Sequence, residues 1–272
     1  MSVDFIAGDK LRVISVASAA NAVQVSVRGR FDNKQPLNLL GQHTPTNDRL
    51  TAATDVSTPL TQGGTITSAA ATVAAGTKRG QVYVGLYVVD ATNRIRGGLF
   101  RGYVYDSHEL SLGEFIEPGP GGGEGNIRTV TGTDPGSSGE EISEAVPTNA
   151  IWRLLSFSAV LVTGSDAATR NAQLVIDDGA AANRREYHVG QDQTASLTRT
   201  HLWHRGGTNP NTLETRSFVD TDTVLSNPSL RDNIFLPEAY RIRTLTVAID
   251  VTGPSFDNWS APIFQVEEWL VI

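Results

Sequence analysis

Alternation of apolar and polar residues with a period of two recurs along this chain. A valine occupies every second position in residues 23–28, and residues 11–16 mix apolar and polar side chains in a similar way. Because successive side chains of a β-strand point to opposite faces, this pattern is typical of a strand that is buried on one face. Residues 81–89 are largely β-branched or aromatic on both faces, which predicts a strand at the centre of a sheet.

Two further segments of the first half need an interpretation. Residues 94–105 begin with a turn and continue as a strand, while residues 68–76 are rich in alanine. An isolated helix as short as the alanine-rich segment is not stable in water, and glycines flank it on both sides. We therefore expect a strand or a loop at residues 68–76.

The second half contains further segments of strand character, with turn signals between them. The tight turn predicted at residues 236–240 leads directly into one of them. The candidate strands are residues 152–163, 171–179, 194–203, 217–224, 240–251 and 263–272. Their spacing is that of an antiparallel β-sandwich, and neither half shows the alternation of strands with helices that a parallel sheet needs.

Gly, Pro, Ser and Glu are concentrated in residues 117–149. Such a mixture buries too little apolar area to offset the entropy of ordering, so it predicts a linker or a long loop. We accordingly expect an N-terminal β-sandwich at residues 1–116 and a C-terminal β-sandwich at residues 150–272. The predicted fold class is all-β, with two tandem antiparallel β-sandwich domains that are jelly-roll-like.

The composition narrows the possible partners. The chain has 272 residues, a formal net charge of −7 and no cysteine. The absence of cysteine excludes disulfides and thiolate metal sites, and the negative charge disfavours a protein that coats nucleic acid. The first residues lack a basic segment followed by an apolar run, and no stretch approaches the ~20 apolar residues of a membrane span. We expect synthesis in the cytoplasm without an export signal, and no membrane contact.

Motifs of catalysis or phosphate binding are missing from the sequence. No Gly-x-Ser-x-Gly occurs, and the glycines of residues 119–125 match neither of the glycine-rich phosphate-binding patterns. His201 and His204 would point to opposite faces of a strand, so they would not share a metal ion. We interpret them as surface or interface histidines.

Three pairs of carboxylates are the remaining candidates for acid–base chemistry or metal binding: Asp177 and Asp178, Asp220 and Asp222, and Glu267 and Glu268. Each has a simpler interpretation. The first pair precedes Gly179 and indicates a turn. The second would lie on one outward strand face, where calcium is an alternative without a supporting loop signature. The third lies in the C-terminal strand. The sequence therefore predicts no catalytic residue, no cofactor and no metal site.

All tryptophans lie in the second half, at positions 152, 203, 259 and 269. Tryptophan at strand ends fills sandwich cores or anchors subunit interfaces, and an exposed ring can instead stack on a sugar. Trp259, in the polar segment 256–260, is the candidate for an exposed interface or glycan contact.

The pattern of the second half resembles virion structural proteins of tailed bacteriophages that string together two β-sandwich or jelly-roll modules. The segments that carry the resemblance are residues 150–163, 170–179, 236–244 and 259–270. The resemblance covers about half of the chain. It implies a capsid decoration (cement) protein, or a collar, tail or fibre component. No functional residue of this chain can be assigned from it.

The leading hypothesis is a non-enzymatic decoration protein on the virion, which forms homotrimers and clamps adjacent capsomers. Its partners would be the major capsid protein and copies of itself, with no nucleic acid. One alternative is a tail, collar or fibre component that binds a receptor or glycan. Others are a double jelly-roll major capsid protein and an accessory domain of a secreted carbohydrate-active enzyme.

Overall fold

The structure is a computed structural model, and strands form its entire regular secondary structure in the residues that it describes. Those residues are 1–18, 20–45, 49–119, 125–136, 139–180, 185–188, 192–204, 214–217, 223–227, 230, 234–248 and 257–271. Within these ranges there is no helix, and hence none with the length and apolar character to cross a membrane.

The chain divides into two units. The first comprises Met1–Asn126, Thr148–Ile151 and Glu268–Ile272, and the second comprises Ile127–Pro147 and Trp152–Glu267. The predicted all-β class with a largely antiparallel sandwich architecture is confirmed, although residues 199–203 pair in parallel with residues 223–227. The predicted boundaries at 1–116, 117–149 and 150–272 stay predictions.

The first nine strands belong to the first unit, which we call the N-terminal unit. They are β1 (Val3–Phe5), β2 (Lys10–Ala17), β3 (Val23–Phe31), β4 (Pro36–His43), β5 (Ala52–Asp55), β6 (Gly64–Val73), β7 (Val82–Val89), β8 (Ile95–Tyr103) and β9 (Leu110–Ser111). One sheet has the order β1-β6-β3-β4, with β9 also paired to β6, and the other has the order β5-β2-β7-β8.

The hydrophobic core of the N-terminal unit follows the alternation in the sequence. In β3, Val23, Val25 and Val27 are buried while the residues between them are exposed. The strand β7 lies between β2 and β8, as expected for a central strand, and its valines are buried on both faces. The alanine-rich segment forms most of β6, in which Ala69 and Ala71 are buried.

A tight hairpin connects β3 to β4. The Phe31 amide donates to the Gln35 carbonyl at 2.9 Å, and the Lys34 amide donates to the Phe31 carbonyl at 2.8 Å. Lys34 adopts a left-handed conformation with φ of 69°, which is the usual device of a three-residue hairpin loop. This turn sets the register, in which Gly29 pairs with Leu37 and Val23 with His43.

The remaining strands lie mainly in the second unit, which we call the C-terminal unit. They are β10 (Asn126–Thr131), β11 (Ser143–Ala145), β12 (Ala150–Val162), β13 (Arg170–Asp177), β14 (Arg185–His188), β15 (Thr198–His204), β16 (Glu214–Ser217), β17 (Thr223–Asn227), β18 (Phe235–Leu236), β19 (Arg241–Ala248), β20 (Asn258–Trp259) and β21 (Ile263–Leu270). The larger sheet has the order β10-β21-β12-β15-β17-β16, with β18 and β20 also on β12, and the smaller has the order β11-β19-β13-β14.

Aromatic side chains fill the core of the C-terminal unit. The Phe157 ring lies 5.9 Å from Trp203 and 5.8 Å from Phe264, centroid to centroid, and Phe264 lies 5.8 Å from Trp152. These edge-on and stacked contacts join β12, β15 and β21 within one sheet. The buried positions of β12 shift by one residue between Leu154 and Phe157, so Trp152 and Phe157 both reach Phe264 although five positions separate them.

Two segments differ from the sequence predictions. The segment predicted as a linker or long loop contains β10, which pairs with β21, and β11, which pairs with β19. The high glycine and proline content around residues 126–131 concealed a short alternating segment. The single strand predicted at 217–224 is also wrong, because Ser217 ends β16 and pairs with Thr223, which begins β17. No glycine or proline marks this change of direction in the sequence.

Candidate functional site

Trp259, the predicted exposed contact, is buried. Its side chain is 1% exposed, and β20 places it opposite Leu161 of β12. The indole Nε1 donates to Thr246 Oγ1 at 3.0 Å, and the ring centroid lies 5.5 Å from that of His201. The ring has no open face for a sugar, so the expectation of an exposed platform is wrong. The polar neighbours of Trp259 suggested a surface loop, but strand pairing turns the ring into the core.

The other three tryptophans, Trp152, Trp203 and Trp269, are also buried. This confirms the interpretation of tryptophan as core filling. None of the four rings is therefore a surface platform in the described structure.

His201 and His204 do lie on opposite faces of β15, as predicted. His201 is fully buried, however, whereas His204 is half-buried, so the prediction of a surface location is wrong for His201. The His201 ring lies between Trp203 and Trp259, with centroid distances of 5.8 and 5.5 Å. Among the described residues there is no cluster of His, Asp or Glu that could hold a metal ion.

The hydrogen bonds of Gln193 determine which His201 nitrogen carries the proton. Gln193 Nε2 donates to the carbonyls of Leu161 and Leu197, both at 2.9 Å. Its Oε1 is therefore an acceptor, and it lies 2.9 Å from His201 Nε2. His201 Nε2 must be the donor, which leaves Nδ1 as an unprotonated nitrogen that is buried and has no hydrogen-bond partner among the described residues. Burial, reinforced by the charge of Arg199, lowers the pKa of His201 to about 4.

The carboxylate pairs serve structural roles where they are described. Asp177 accepts from the Gly179 amide at 2.9 Å and Asp178 from the Ala180 amide at 3.1 Å, which confirms the predicted turn. Gly179 has φ of 82°, a value that favours glycine. Asp177 is buried and its Oδ2 lies 2.8 Å from Arg243 Nη2. Asp220 and Asp222 lie outside the described residues.

Glu267 and Glu268 are both buried in β21, and each is paired with an arginine. Glu267 binds Arg153, and Glu268 Oε2 lies 2.8 Å from Arg49 Nε. A buried carboxylate needs such a partner because desolvation of an unpaired charge is costly.

A buried ion pair that sequence reasoning missed joins Arg170 to Asp257. The Arg170 side chain is 0% exposed, and its Nε donates to Asp257 Oδ2 at 2.9 Å. Its Nη1 donates to the carbonyls of Asp166 and Ala168, and Asp257 Oδ1 accepts from the Gly164 amide. The pair therefore holds the loop between β12 and β13 in place. Nothing in the sequence spacing signals it, because 87 positions separate the two residues.

A second missed arrangement combines a serine and a histidine in the N-terminal unit. Ser15 Oγ lies 2.6 Å from His43 Nε2, and His43 Nδ1 lies 2.8 Å from Thr54 Oγ1. Burial lowers the pKa of His43. A serine beside a neutral imidazole is the pairing of nucleophilic catalysis, but both side chains are buried and a substrate carbonyl cannot reach Ser15 Oγ. What the arrangement does is tie β4 to β2 and β5 of the opposite sheet.

Two shallow depressions mark the surface of the N-terminal unit. One, of about 290 Å³, lies at the Tyr105–Glu109 turn. The Tyr105 ring stacks on His108 at 5.1 Å and lies 5.9 Å from the Arg79 guanidinium, so it already packs against side chains of its own unit. The other, of about 350 Å³, is a groove on the outer face of β3 and β4, lined by Ser26, Val27, Arg28, Asn38, Leu39 and Leu40.

The groove on β3 and β4 is bordered by Leu40, a large apolar side chain that is exposed to solvent. Leu40 is 80% exposed, although it lies in the middle of a strand. The strand β4 ends its sheet, and no strand pairs with its outer edge in the part of the chain that the structure describes. We call this surface, formed by Pro36–His43 and the adjoining groove, the β4 edge. An open strand edge can bind another strand through main-chain hydrogen bonds.

Comparisons with known proteins yield weak structural matches. No protein-family model matches the chain, and no curated protein matches it. The tandem CBM22 domains of Paenibacillus barcinonensis Xyn10C superpose with a TM-score of 0.21 at 10% identity, over 99% of this chain and 82% of that chain. The VP2 subviral particle of infectious bursal disease virus gives 0.24 at 9% identity, over 97% and 57%. N-glycanase F gives 0.20 at 9% identity, over 99% and 89%.

This chain spans less than two thirds of the length of the VP2 protein that it matches. Superpositions with TM-scores of 0.20 to 0.24 do not establish a shared fold. The role of the chain must therefore follow from its own residues.

Proposed function

We propose that this chain is a non-enzymatic structural protein of a virus particle, and specifically a decoration protein on the capsid of a tailed bacteriophage. It binds the outer shell through exposed strand surfaces, and its partners are the major capsid protein and further copies of itself. Association as a homotrimer, expected from the resemblance, belongs to the same proposal.

The proposal rests on the contrast between polar side chains that are buried and a strand edge that is exposed. Three of the polar residues considered for chemistry, Ser15, His201 and Glu267, are buried and engaged in contacts inside a unit. The β4 edge, in contrast, presents an open strand without a charged residue. A surface of this kind suits recognition of another protein better than conversion of a small substrate.

The acidic composition agrees with a place outside the shell. The net charge of −7 favours contact with water and protein over contact with packaged nucleic acid. A protein present in many copies also needs only a modest interface per copy, because many weak contacts add on a common surface.

Add-back of the purified chain to shells that lack it tests the proposal. We expect the chain to bind the outer surface, as seen in images of the particle, and to raise the temperature at which the shell releases its contents. An unrelated acidic protein of similar size is the control and should do neither. Shells that neither bind the chain nor gain stability overturn the decoration role, and labelling of tail or collar instead would assign it there.

A further inference from the structure

The backbone groups of the β4 edge are oriented by the hairpin that precedes it. The Phe31 amide bonds to the Gln35 carbonyl, and hydrogen-bonded pairs then recur at every second residue of an antiparallel ladder. Leu37, Leu39, Gly41 and His43 therefore direct their N–H and C=O groups towards β3. The residues between them, Asn38, Leu40 and Gln42, direct theirs outward, away from the sheet.

Prolines limit this edge at both ends. Pro36 begins β4 and has no N–H, and Pro45 follows it two residues after His43. The open edge thus offers three donor and acceptor pairs, centred on Leu40, and it cannot extend into a long ladder.

The exposed side chains of β4 follow a nearly palindromic order along the strand. On the solvent face, Leu40 lies between Asn38 and Gln42, and all three are exposed. Two such strands placed antiparallel about Leu40 would set Leu40 against Leu40 and each Asn38 against the Gln42 of the other strand. A surface that matches itself in this way fits an isologous contact, in which the same patch serves on both subunits.

We propose that the β4 edge binds the β4 edge of a second copy of this chain, antiparallel and about a two-fold axis that passes between the two Leu40 residues. The outward N–H and C=O groups of Asn38, Leu40 and Gln42 then form a continuous ladder across the axis. The five-stranded sheets of the two copies become one sheet that runs through both.

The charges of the neighbouring strand agree with this register. Arg28 lies beside Asn38, whereas Gln24 lies beside Gln42. In the proposed pairing Arg28 is therefore aligned with Gln42 and Gln24 of the second copy, and no arginine faces another arginine. Two chains of net charge −7 repel each other, so contact through the strand without charged residues keeps that repulsion to a minimum.

Hydrogen bonds to the opposite sheet fix the end of β4 at His43. His43, at the end of β4, lies 2.6 Å from Ser15 Oγ and 2.8 Å from Thr54 Oγ1, which belong to the opposite sheet. The strand is therefore ordered before a partner arrives, and binding costs little conformational entropy. The contact has two-fold symmetry, so it uses a surface different from that of a trimer, and it does not depend on the decoration role.

Chemical cross-linking of single-cysteine variants tests the register. The natural chain has no cysteine, so Leu40→Cys and Asn38→Cys each introduce a unique thiol. Opposed residues of a hydrogen-bonded antiparallel pair are about 5.5 Å apart, whereas two Asn38 residues would be about 14 Å apart along the ladder. A bis-maleimide shorter than ~10 Å should therefore link Leu40→Cys into dimers and leave Asn38→Cys single. Equal linkage of both variants, or linkage of neither, would refute the register.

Sedimentation equilibrium of the full chain tests the association itself. We expect Leu40→Lys, which opposes two ammonium groups across the axis, to weaken self-association at least tenfold. Ile95→Lys is the matched control, because Ile95 is 55% exposed and lies in β8, the end strand of the other sheet; it should leave association unchanged. Circular dichroism establishes that both variants are folded. A natural chain that stays monomeric at high micromolar concentration, or equal effects of the two variants, would overturn the proposal, while failure to bind shells would affect only the decoration role.

Discussion

Protonation of His201 should destabilise the C-terminal unit as the pH falls. The ring is buried between two tryptophans, and its Nδ1 has no hydrogen-bond partner among the described residues. A proton on Nδ1 would place a positive charge in this core without a carboxylate to receive it. The folded state therefore binds the proton more weakly than the unfolded state does.

The pKa values set the size and the direction of the effect. The pKa of His201 is about 4 in the folded chain, against an ordinary value of 6.5. The contribution of neutral His201 is fully present above pH 6.5 and is lost as the pH falls towards 4. The free energy of unfolding should decrease by about 3 kcal/mol over this interval.

Urea denaturation of the natural chain and of His201→Gln, followed by tryptophan fluorescence, measures this loss. The difference between the two chains at pH 8 gives the cost of the substitution itself. The further change of that difference between pH 6.5 and pH 4 gives the contribution of the titrating ring. Nuclear magnetic resonance of the ring provides a second measurement, with the proton expected on Nε2. Parallel loss of stability in both chains, or a ring that titrates near pH 6.5, would refute the reasoning.

Three further substitutions should act through the buried contacts. Asp257→Ala leaves the guanidinium of Arg170 buried without its carboxylate, and chemical denaturation should show a loss of about 3–5 kcal/mol; an unchanged midpoint would contradict the pairing. Trp259→Ala removes a buried ring and should cost about 3–5 kcal/mol in the same assay; a loss below about 1 kcal/mol would contradict its role in the core. Ser15→Ala leaves His43 Nε2 without its partner and should cost about 1–3 kcal/mol, which thermal unfolding of the N-terminal unit measures; a neutral effect would exclude a structural role for this hydrogen bond.

Much of the strand content was predictable because it depends on local pattern. The alternating valines of β3 and the apolar run of β7 identified these strands, and the turn at residues 237–240 was placed correctly before β19, with the Tyr240 amide bonded to the Pro237 carbonyl. The change of direction between Ser217 and Thr223 was missed, because no glycine or proline lies between them to signal a turn.

The candidate site was less predictable than the fold. Polar neighbours made Trp259 look exposed, although pairing with β12 buries it. The pairing of Arg170 with Asp257 joins the start of β13 to a residue 87 positions away, and no local pattern encodes a contact at that separation.

The sequence by itself determined that this chain is built of strands, that its tryptophans belong to the C-terminal part, and that thiol chemistry is excluded. These are local properties, since the period of a pattern and the type of a residue do not depend on distant parts of the chain. The tertiary structure alone decided which strands end their sheets and which polar groups are buried. Leu40 lies on the solvent face of β4, which has a neighbour on only one side, and strand order is a property of long-range pairing that a single strand cannot reveal.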